Sequence, residues 1–242
     1  IGIYSLTTNT TGQYNTGIGH AALEANSTGS YNVAIGQAAL VGNTTADNNV
    51  GIGFEALKVN TTGAQNVAVG SLALDANTTA NSHTAIGYNA LSANTTGTQN
   101  TAVGSLSLDA NTTGNYNIGI GVEALSANTT GSNNTAIGQG NLRSNTTASN
   151  NTGLGYLALS ANTTGTSNTA VGTNALDANT TADNNTAIGR NTLGANTTGA
   201  HNSALGTNAL FKNSTGTQNT AIGKDSLYEN TTADNNNAVG YF

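Results

Sequence analysis

The stretch Asn134-Thr135-Ala136-Ile137-Gly138-Gln139-Gly140-Asn141-Leu142-Arg143-Ser144-Asn145-Thr146-Thr147-Ala148-Ser149-Asn150 is followed at once by Asn151-Thr152-Gly153-Leu154-Gly155, where the same pattern begins again. Outward in both directions the period of 17 holds, with glycine at Gly2, Gly19, Gly36 and so on to Gly240 and no insertion or deletion. Counted from Asn15, the consensus is N-T-A-I-G-x-x-A-L-x-x-N-T-T-G-x-x, and Ile1 to Gly12 fits its columns 4 to 15. Self-similarity at a fixed short period is the mark of a solenoid. Column 9 is Leu from Leu6 to Leu227, column 12 is Asn from Asn9 to Asn230, and column 14 is Thr from Thr11 to Thr232. A disordered low-complexity chain has no reason to keep such columns in register.

A period of 17 is too short for a repeat built from two helices. Asn-Gly and Asp-Gly, the strongest hairpin signals, do not occur in the sequence. The pattern therefore predicts an all-β parallel solenoid, a β-roll of about 14 rungs, with one strand over columns 2 to 5 and a second over columns 7 to 11. Columns 4 (Ile, Val or Leu) and 9 (Leu) read as the apolar ladders of the core. Column 5, always Gly, reads as a site of positive φ or of close backbone approach. Asn in columns 1 and 12 reads as a turn former whose side chain also bonds between rungs. His83 is the one departure from Asn in column 1, and it too can donate and accept.

All 5 basic and 11 acidic side chains fall in columns 6, 7, 10, 11 and 16. Columns 2, 3 and 5 stay neutral, and columns 3 and 5 stay small, so a second subunit is expected to cover them. A net charge of −6 and five scattered cations argue against a nucleic-acid partner. With no Cys there is no thiolate site, and no apolar run is long enough to span a membrane. A start at Ile1 with no signal-peptide pattern gives the expectation that residues 1–242, one repeat domain throughout, belong to a longer fibre protein.

Chemical motifs dissolve into the repeat. Gly17-Ile18-Gly19 resembles the start of a dinucleotide fingerprint, but it recurs in register and no helix follows. His20, His83 and His201 occupy three different columns of distant rungs, and Asp75, Asp109 and Asp177 are two or more rungs apart. No catalytic, cofactor or metal site is expected, and the chain does not read as an enzyme. N-T-T sequons recur in nearly every rung, but their Asn is needed for the turn.

The cores Asn100 to Gly104, Asn134 to Gly138 and Asn219 to Gly223 resemble the head repeats of trimeric autotransporter adhesins and the tandem repeats of phage tail fibres. That resemblance covers the whole chain. It implies left-handed β-rolls associated as a homotrimer, and a structural or adhesive segment of an extracellular fibre on a virion or a cell surface. The partners expected are the chain itself and a host-surface glycan or protein. Autotransporter head repeats are usually shorter than this one, which makes a different coil shape expected. Receptor contacts are expected in the variable columns, at Phe54, Tyr88 and Tyr156 of column 6 and Phe211 and Tyr228 of column 10. The alternative function is ice binding by threonine ladders, column 14 being complete and column 2 partial.

Overall fold

A computed structural model describes residues 1–241. The chain forms two compact units, Ile1–Asn117 and Ile118 onward. Both are β-solenoids of the same coil, all-β and without helix among the described residues. The first holds β1 (Thr16–Ile18) to β6 (Thr101–Val103), and the second β7 (Ile118–Ile120) to β14 (Asn237–Val239). Within each unit the strands follow sequence order and pair in parallel, column on column, as with Thr135↔Thr152, Ala136↔Gly153 and Ile137↔Leu154.

One coil, Asn168 to Asn184, illustrates all of them. Its strand Thr169–Val171 (β10) turns Ala170 inward and leaves Thr169 and Val171 half-exposed. Side chains alternate along a strand, so a single inward position is all that three residues allow. Column 3, always Ala or Gly, is therefore the core position of the strand. Column 4 is not, contrary to the sequence expectation: its Ile, Val and Leu side chains face outward.

Columns 7 to 11 do not form the expected second strand; they are a run of turns. Ala175 and Leu176 are both buried, which a strand forbids because successive side chains point to opposite faces. Left-handed residues on alternate positions, Asn174 (φ 53°) and Leu176 (φ 52°), reconcile the two. Inter-coil bonds persist through them, from Asn174 N–H to the Tyr156 carbonyl (3.0 Å) and from Leu176 N–H to the Thr192 carbonyl (3.0 Å). A third left-handed residue, Asn184 (φ 58°), closes the coil in column 17. Each costs a non-glycine residue about 1–2 kcal/mol, which the bonds to neighbouring coils offset.

Column 5 needs glycine for two reasons. Gly138 has φ 131°, and a Cβ there would strike the Gly155 carbonyl of the next coil. At this height the backbones touch directly.

Core packing comes from columns 3, 8 and 9, whose Ala and Leu side chains are buried from Leu23 through Leu210. Beside them run two buried asparagine ladders. In column 12, Asn179 Nδ2 donates to Asn162 Oδ1 (2.8 Å) and to the Ala182 carbonyl (3.1 Å). In column 1, Asn168 Nδ2 donates to that same Ala182 carbonyl (2.7 Å), while its Oδ1 accepts the Asn185 backbone N–H (2.9 Å). Both lone pairs of the column 15 carbonyl are thus filled. A buried polar group without a partner costs about 1–3 kcal/mol, so each of these positions demands a side chain with both a donor and an acceptor.

His83 meets that demand by other atoms. Its Nδ1 accepts the Asn100 N–H (3.1 Å), the role Oδ1 plays elsewhere in the column. The proton therefore sits on Nε2, and the Gly97 carbonyl is a further backbone partner of the ring. The fit is imperfect: Asn94 Nδ2 lies 3.2 Å from Nε2, and its ladder bond to Asn77 Oδ1 is stretched to 3.4 Å.

Candidate functional surface

The outer face of each sheet carries columns 2 and 4. Column 4 presents a ladder of large apolar side chains, with Ile18, Leu154 and Leu205 exposed at 42, 45 and 47%. Column 2 adds Thr, Val or Ile, with Ser203 and Asn237 as exceptions, and in the second unit Thr135, Thr152, Thr169 and Thr186 follow one another in consecutive coils. No charged residue lies in either column. Ion pairs such as Lys58–Glu55 (2.9 Å), Arg143–Glu123 (3.6 Å) and Lys212–Glu229 (2.8 Å) all belong to other columns. A repeated apolar row on a neutral face is the kind of surface that marks an interaction site. The neutral columns 3 and 5, read from sequence as the covered face, are instead the core and the close backbone contact.

The aromatic residues picked from the sequence divide. Phe54, Tyr88 and Tyr156 are exposed; Phe54 and Tyr88 sit two coils apart in the first unit, with Ser71 between them in column 6, and Tyr156 belongs to the second unit. Phe211 and Tyr228, in adjacent coils, stack at 5.4 Å, with Lys212 Nζ 5.3 Å over the Tyr228 ring and bonded to Glu229 (2.8 Å). Gly194 gives the Phe211 ring its space, since a Cβ there would lie 3.0 Å from the ring. This pair bonds coil to coil. Sequence reasoning misses a second stack, Tyr14 on Tyr31 at 5.0 Å, more exposed than the first. The signal is present: two aromatics one period apart in a parallel stack must lie face to face.

The column 14 threonines are exposed but lie outside the strand, on a turn. Half-buried column 10 carboxylates, Asp75 and Asp177, have their pKa raised by burial. Burial also pushes the His83 imidazole down to about 4. Among the described residues, no group of three His, Cys, Asp or Glu side chains converges on a metal site, and no helix is long and apolar enough to cross a membrane.

Fold and surface define each unit as a tandem-repeat parallel β-solenoid with an uncharged, apolar sheet face. No family model, characterised protein or solved structure matches the chain.

Proposed function

We propose that this chain is a structural segment of an extracellular fibre, on a virion or a cell surface, assembled as a homotrimer of left-handed β-rolls. The supporting observation is the column 4 ladder: Ile18, Leu154, Ile188, Leu205 and Ile222 lie 39 to 47% exposed, and the sheet face of each unit carries no charge. Three such faces packed about a common axis remove the ladders from water, at about 25 cal/mol for each Å² buried. The charged columns then point outward, and Phe54, Tyr88 and Tyr156 remain accessible there for a host-surface glycan or protein.

Light scattering on the purified chain is the test. The expected mass is three times 24.0 kDa, and Ile188→Lys combined with Ile222→Lys should give monomers that keep the β spectrum. A wild-type monomer would refute the trimer. Ice binding is the second reading, favoured by the consecutive threonines of column 2 on the open sheet face. A monomer that inhibits ice recrystallisation, and loses that activity on Thr152→Leu with Thr186→Leu, would favour it.

A further inference from the structure

The fold separates the N-x-Ser/Thr sequons into two groups. Fourteen begin at column 12, from Asn9 to Asn230. From Asn26 to Asn213 these asparagines are fully buried, and their amides donate within the ladder, as Asn145 does to Asn128 Oδ1 (2.9 Å) and the Ala148 carbonyl (3.1 Å). An amide so engaged is closed to modification in the folded chain.

Three further sequons begin one residue before a coil, at Asn133-Asn134-Thr135, Asn150-Asn151-Thr152 and Asn184-Asn185-Thr186. Here the acceptor asparagine is in column 17. Asn133, Asn150 and Asn184 are exposed, and each sits at a left-handed corner with φ of 59°, 63° and 58°. Among the described residues their side-chain amides find no hydrogen-bond partner, unlike the amides of the two ladders. Threonine two residues on lies at the start of a strand on the open sheet face, exposed at Thr152 and half-exposed at Thr135 and Thr186. Both groups that define the sequon are therefore reachable from outside. Elsewhere in column 17 the third residue is not Ser or Thr, or the first is not Asn, as at Asn48-Asn49-Val50 and Gln99-Asn100-Thr101.

We propose that Asn133, Asn150 and Asn184 are N-glycosylation sites of the folded protein, and that the column 12 sequons are not. The co-substrate class is a diphosphate-activated sugar. In the transfer, Nδ2 forms a bond to the anomeric carbon, the bond from that carbon to the diphosphate oxygen breaks, the diphosphate leaves with the electron pair, and Nδ2 loses one proton. Glycans at these positions project from the corner beside the sheet and leave the core undisturbed.

The experiment treats the folded chain with an asparagine-specific N-glycosyltransferase and UDP-glucose, then maps the added hexose by peptide mass spectrometry. A second sample is treated after unfolding in urea and dilution into the reaction. The expected result is hexose confined to Asn133, Asn150 and Asn184 in the folded sample, with column 12 sites such as Asn145 and Asn162 appearing only in the unfolded one. Asn133→Gln, Asn150→Gln and Asn184→Gln together should abolish labelling of the folded chain and leave its thermal midpoint unchanged. A folded sample that carries no hexose, or carries it on column 12, overturns the proposal. Because the proposed trimer covers the face that carries Thr135, Thr152 and Thr186, the folded sample is the Ile188→Lys with Ile222→Lys monomer, so that neither outcome depends on whether the parent chain trimerises.

Discussion

Replacing His83 by Asn should remove an acid-sensitive point from the first unit. His83 is 1% exposed and holds Asn100 N–H on Nδ1, so it must be neutral. Its pKa falls from 6.5 when unfolded to about 4 when folded. Between those values the unfolded chain binds a proton that the folded chain refuses. The stability due to this group is thus complete above pH 6.5, declines as pH falls through the window, and is lost below about pH 4. The gap between the two values corresponds to about 3 kcal/mol. Protonation would also place an N–H on Nδ1 against the Asn100 N–H, two donors face to face. Asn at this position has no titration and restores the regular ladder, so His83→Asn should resist acid by about that amount while differing little at neutral pH. Urea denaturation of both proteins from mildly acidic to neutral pH measures the difference, and the column 10 carboxylates, common to both, cancel in the comparison. A repeat array need not unfold as one unit, so hydrogen exchange at the Asn100 amide supplies the local reading. Parallel stability curves with unchanged Asn100 protection would refute the reasoning.

Gly138→Ala should destabilise the second unit by about 3 kcal/mol, combining the strained φ with the contact on the Gly155 carbonyl; a melting point equal to the parent's would contradict it. Asn162→Asp places a buried carboxylate against Asn145 Oδ1 and the Gly165 carbonyl, both acceptors, and should cost about 3–5 kcal/mol by chemical denaturation. Gly153 makes room for Asn141, which replaces the usual Ala of column 8 and donates to the Gly155 carbonyl (3.0 Å). Gly153→Ala alone should therefore cost about 1–3 kcal/mol, while Asn141→Ala with Gly153→Ala recreates the Ala158–Ala170 arrangement of the next coil and should recover most of it; simple additivity of the two changes would speak against coupling.

The period, the parallel stacking and the first strand, expected over columns 2 to 5 and found over columns 2 to 4, are legible in the sequence because each rests on a residue type repeated in register. What misleads is residue chemistry without a conformational signature. Leu176 and its column give no sign of their left-handed backbone, since Leu is not a residue that signals such a turn, and only the adjacency of two apolar columns, 8 and 9, hints that no strand could bury both. Column 4 reads as core because Ile and Val favour strands on either face. The true inward residue is small Ala, as befits a coil whose opposite wall supplies Leu. Gly153 and Gly17, both in column 3, each accommodate a polar side chain from column 8 of the preceding coil, Asn141 and Ser5, a pairing that can be sought in the sequence once the coil is known. His83 is recognisable as a donor and acceptor, but its burial follows from the ladder, which sequence alone does not place inside.

Since a coil-to-coil bond joins residues separated by about one repeat, and the coils offer the same backbone groups in the same columns, adding or removing one whole coil inside a unit leaves its neighbours with equivalent partners, matched pairs such as Asn141 and Gly153 excepted. Addition or loss of a few residues does the opposite, turning Asn out of its ladder and a side chain into the column that admits only glycine. A gene encoding this chain is thus free to lengthen or shorten by recombination between its own repeats, one coil's worth of codons at a time, and is barred from almost every smaller change in length. Copy number becomes an inherited quantity open to rapid selection, while the reading of each column stays fixed.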